Sequence, residues 1–68
     1  MHFIKAGQPI TLLPNSKRLK QVIEDNGNIW MVIEGTQKMQ CFNNELGVRI
    51  MALSGHIRNV LMCDVEPL

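Results

Sequence analysis

Four side chains of this sequence carry the nitrogen and sulfur donors that zinc prefers: His2, Cys41, His56 and Cys63. No two of them stand at a short ligand spacing such as Cys-x-x-Cys or His-x-x-x-His. The pattern therefore predicts no metal site and no cofactor. Cys41 and His56 would make a nucleophile–base couple only if strands brought them together, and no third orienting group stands out. The plainer expectation is that Cys41 and Cys63 lie in strands as small buried hydrophobes. Asp64 and Glu66 flank Val65, but nothing nearby marks them for acid–base work, and a solvated tail accounts for them better. The five glycines fall singly at turns, so no loop is built to cradle phosphates. No catalytic residue is predicted. An enzyme is expected only if its site forms between subunits.

The basic residues suggest a second chemistry. Lys17, Arg18 and Lys20 cluster, and Arg49 and Arg58 could join them on a polyanion. Seven Lys and Arg stand against six Asp and Glu, a net charge of +1. Phosphate-tracking proteins usually carry a clear basic excess. The aromatic residues are Phe3, Trp30 and Phe42, with no tyrosine, which leaves little for base stacking. The favoured reading is a solvated edge for the cluster, with the two arginines lying over apolar neighbours and their heads in water. A nucleic-acid accessory protein is the alternative.

The elements that position these side chains belong to a short chain of 68 residues, 46% apolar and 19% charged. One domain, 1–68, is expected, near the lower size limit for an independent core. The longest apolar run, Ile29-Trp30-Met31-Val32-Ile33, falls far short of the ~20 residues a bilayer needs, so no membrane span is predicted. Residues Met1 to Gly7 hold no apolar stretch long enough for a secretory signal. The expectation is a cytoplasmic protein with reduced cysteines.

Turn signals recur at Gly7-Gln8-Pro9, Pro14-Asn15-Ser16, Asn26-Gly27, Gly35-Thr36, Asn43-Asn44 and Ser54-Gly55, with strand-length segments between them. Residues 29–33, 38–42, 48–53 and 57–63 read as four consecutive strands of an antiparallel meander. Residues 16–26 admit two readings. A helix would bury Leu19, Val22 and Ile23, but it would set Lys17 and Arg18 at the positive end of its dipole. A strand over 19–24 would instead enter a type I′ hairpin at Asn26-Gly27. The strand is favoured. The fold class is then all-β, a small antiparallel meander barrel of about five strands. The alternative is α+β, a helix over 16–26 on a four-stranded antiparallel sheet.

The run from Gln21 to Gly27 leading into Trp30-Met31-Val32 resembles the SH3-like and Sm-like small barrels, which implies a bent sheet closed on itself. Gly7-Gln8-Pro9-Ile10 is similar to a run in the plasmid-borne trimethoprim-resistant reductases. Their Val-Gln-Ile-Tyr pore run has no counterpart, because Val48-Arg49-Ile50-Met51 stands there, and their activity is not carried over.

Side chains alternate across a strand, so a half-exposed sheet should show one polar face. Here both faces are apolar. Ile29, Met31 and Ile33 form the more continuous face and are assigned to the interior. Trp30 and Val32, with Met51, Val60 and Met62, are assigned to a face that a partner covers. The function expected is a non-catalytic protein-binding or self-assembling module, a homo-oligomer or bound to a protein partner.

Overall fold

A five-stranded antiparallel sheet crossed by one helix accounts for residues 3–68, the part of the chain this computed structural model describes. The strands are β1 (Pro9–Leu12), β2 (Ile29–Met39), β3 (Glu45–Met51), β4 (Ile57–Leu61) and β5 (Val65–Pro67). Their spatial order is β4-β3-β2-β1-β5. Helix α1 (Lys17–Asn26) connects β1 to β2, and 3-10 turns at Gln40–Phe42 and Met62–Asp64 follow β2 and β4. The all-β expectation of five antiparallel strands holds. The sheet is open, however: β4 and β5 are its two edges and do not pair.

Residues 17–26 are helical, not a strand, for reasons visible at both ends. Ser16 is extended, and its hydroxyl oxygen accepts from the Leu19 N–H at 3.2 Å. Gly27 has φ 83° and donates its N–H to the Ile23 carbonyl at 2.7 Å. Asn26-Gly27 is thus a helix terminus rather than a hairpin. Leu19 is buried, with Val22 and Ile23 packed beside it on the core, the i, i+3, i+4 stripe of an amphipathic helix. Each misplaced charge costs the helix about 0.3–1 kcal/mol at the surface. Burying one large aliphatic side chain returns ~1.5–3 kcal/mol. Packing outweighs the dipole.

Strand β2 joins what the sequence divides into two strands. It runs through Gly35-Thr36 without turning, and its register with β3 shifts twice, between Val32 and Glu34 and between Glu34 and Gln37. Each shift inserts one residue and bends the strand. The bend receives residues 4–8. The Ile4 N–H donates to Thr36 Oγ1 at 2.8 Å and the Thr36 N–H to the Ile4 carbonyl at 2.9 Å. The Gly7 N–H donates to the Val32 carbonyl at 2.7 Å. A Cβ on Gly35 would stand 2.7 Å from the Ile4 carbonyl oxygen, so this approach requires glycine.

The core lies between the sheet and α1. Its fully buried large side chains are Ile10, Trp30, Val32, Val48 and Ile50. The strand faces are therefore the reverse of those read from β2 alone: Trp30 and Val32 point inward, and Ile29 and Met31 point out. No helix among the described residues is long and apolar enough to cross a membrane.

Candidate functional site

Of the five residues assigned to a partner-covered face, Trp30, Val32 and Val60 are interior, and Met62 is half-buried against the core. Only Met51 lies exposed. The outer face nevertheless carries an apolar row of different composition. Pro9 pairs with Met31, Met31 with Met51, and Met51 with Ile57, so four side chains stand abreast on β1, β2, β3 and β4. At ~4.8 Å per strand the row is about 14 Å long. Ile29 flanks it on β2, 54% exposed, and Leu53 on the β3–β4 connection is wholly exposed. Pro9, Ile29, Met31, Met51 and Leu53 line a groove of about 340 Å³ whose floor is Trp30 and Ala52. Ile29, Met31 and Ile33 look like the more continuous apolar face only if alternation runs unbroken, and the first bulge, between Val32 and Glu34, interrupts it at Ile33. The alternation in β3, Val48, Ile50 and Ala52 against Arg49, Met51 and Leu53, was the usable signal.

The other half of the outer face is polar. Arg49 Nη1 lies 3.5 Å from Glu34 Oε2, with both side chains about half exposed. A second cleft of about 340 Å³ opens beside this pair, with Lys38, Cys41 and Asn59 on its walls. The ion pair itself contributes ~1 kcal/mol at most.

The basic residues do not form one patch. Arg49 faces outward, whereas Arg58 pairs in register with Ile50 and shares the inner side with Val60. Lys17, Arg18 and Lys20 are on α1, exposed. Arg18 and Arg58 do come together, on the wall of a 130 Å³ cleft between the start of α1 and β4. Desolvation, and after it the Arg18 charge, holds Arg58 below the usual guanidinium range.

Cys41 and Cys63 are free and exposed, each on a 3-10 turn rather than buried in a strand. The turns end the strands early and swing both thiols outward. Cys41 lies 3.9 Å from the Asn59 amide nitrogen. His56 instead meets the Trp30 ring edge-on, with centroids 6.0 Å apart. Three residues of β4 direction, ~10 Å, separate Asn59 from His56, so no Cys41–His56 couple forms. Burial and then the Asp64 charge push the Cys63 thiol up. Among the described residues no three His, Cys, Asp or Glu side chains converge on a metal position, and His2 lies outside those residues. Asp64 accepts from Asn15 Nδ2 at 3.1 Å, while Glu66 is an exposed residue of β5.

Comparison with protein-family models, with curated proteins and with solved structures finds no match to this chain.

Proposed function

We propose that this chain is a non-catalytic protein-binding module that pairs with a second copy of itself through the outer face of the sheet. The observation that carries this reading is the Pro9–Met31–Met51–Ile57 row. α1 already covers the inner face, so it is not available to cover this one. Two-fold pairing would set each row against its equivalent, with Glu34 and Arg49 at a wet rim. Two methionines at the centre adapt to such a self-complementary surface. A net charge of +1 opposes the approach of a second copy only weakly. A standard interface takes ~800 Å² from each partner, about a sixth of the 4593 Å² this chain exposes. We assign the protein to the cytoplasm, where exposed thiols such as Cys41 and Cys63 stay reduced.

Equilibrium sedimentation tests the reading. The wild-type chain should sediment at twice its 7.7 kDa, and Met51→Lys should return it to monomer with an unchanged circular dichroism spectrum. A monomeric wild type at about 1 mM, a concentration that captures even weak pairs, would overturn it.

A further inference from the structure

The cleft at the start of α1 lies on the opposite side of the molecule from the apolar row and has an unusual charge balance. Arg18 stands on the first turn of a helix that has no acidic residue there, so it adds positive charge to the positive end of the dipole. Arg58 approaches from β4 and lines the same cleft. Neither guanidinium lies within 4 Å of a carboxylate, and neither donates a side-chain hydrogen bond to another described residue. The Arg58 Nε is buried with no acceptor in reach. The Ser16 hydroxyl caps the Leu19 N–H, which leaves the Arg18 amide N–H beside the cleft without an intrahelical acceptor. Two like charges and a helix start thus meet at one opening, and one of the two guanidinium groups has an unmet donor behind it.

We propose that this cleft binds a single phosphate-type oxyanion, held between the guanidinium groups of Arg58 and Arg18. An oxyanion neutralises the like-charge pair and accepts from planar donors suited to two-point contact. The volume, 130 Å³, equals about four water molecules at ~30 Å³ each, enough for one phosphate group. Asp64 forms part of the wall, anchored by Asn15, and its charge opposes the anion. Binding is therefore modest in the wild type and limited by that carboxylate.

The test follows the Nε–H resonance of Arg58 by nitrogen-15 NMR in the full chain, titrated with sodium phosphate and with sodium chloride at matched ionic strength. A saturable shift with phosphate alone is expected. Arg18→Gln, an exposed change that leaves the core intact, should weaken binding about tenfold, the loss of one charge-assisted hydrogen bond. Asp64→Asn should tighten it. A short single-stranded oligonucleotide that moves the same resonance at lower concentration would identify the oxyanion as a backbone phosphate. Equal shifts with phosphate and chloride, or unchanged phosphate affinity in Arg18→Gln, would overturn the site.

Discussion

The indole N–H of Trp30 donates to the carbonyl oxygen of Gly27 at 2.9 Å. This single bond ties the end of α1 to the first residues of β2, and the same ring meets His56 edge-on from the β3–β4 connection. Trp30 is thus the joint between helix and sheet. Trp30→Phe should cost about 1 kcal/mol for the lost bond, beyond the loss of ring volume. Trp30→Ala should cost about 3–5 kcal/mol, enough to unfold so small a domain. Urea denaturation of both variants measures the difference.

Two glycines separate two kinds of backbone demand. Gly27 has open space around its missing side chain but sits at φ 83° and ψ 172°, a region used almost only by glycine, so Gly27→Ala should lose about 1–3 kcal/mol to strain. Gly35 has no room: its Cβ would meet the Ile4 carbonyl, and backbone cannot step aside as a flexible side chain can. Gly35→Ala should be the more damaging of the two. It should also release residues 4–8, read as faster amide exchange at Ile4, Gly7 and Thr36. Equal losses of stability at both positions would contradict this account.

The helix start offers opposite changes at adjacent positions. Ser16→Ala should destabilise by ~0.5–2 kcal/mol, because the Leu19 N–H loses its acceptor. Lys17→Glu should stabilise by about 0.3–1 kcal/mol by reversing the sign of a charge at the positive end of the dipole. Thermal melts at low salt measure both, and only the second effect should fade as salt is raised.

The two exposed thiols should differ in reactivity. Desolvation and the neighbouring Asp64 disfavour the Cys63 thiolate, so its alkylation by iodoacetamide should rise at higher pH than for an ordinary cysteine. The sign for stability follows. A thiol whose folded pKa is raised keeps its proton longer in the folded chain, so stability fully present below the unfolded pKa is lost as pH climbs from there through the raised folded pKa. Asp64→Asn should move the Cys63 alkylation profile back toward lower pH. Peptide mapping of the alkylated protein distinguishes Cys63 from Cys41.

Much of the sheet was legible in the sequence. Residues 29–33, 48–51 and 57–61 are strands because β-branched and long apolar side chains recur between turn residues, a local signal. β1 and β5 escaped notice because they are four and three residues long and bear prolines at Pro9 and Pro67. β1 is a strand through its ladders with β2 and β5, and β5 only through its ladder with β1. At 17–26 the helix and hairpin readings share the same terminal glycine, and tertiary burial of Leu19 decides between them. The apolar row was invisible for a different reason. It is assembled by register across four strands, from residues whose own neighbours look ordinary.

The place of β5 sets the order in which this chain must assemble. β2, β3 and β4 are consecutive and close short loops, so their pairing is entropically cheap and early. Leu12 and Val65 are partners across nearly the whole described chain. Their ladder is the last and slowest to form, and it rests on three residues of strand. Until it does, β1 is itself an unsealed border of the sheet, open to the β5 of a neighbouring chain. Dilute refolding therefore favours the closed monomeric unit, and concentrated refolding favours exchange of that short terminal strand.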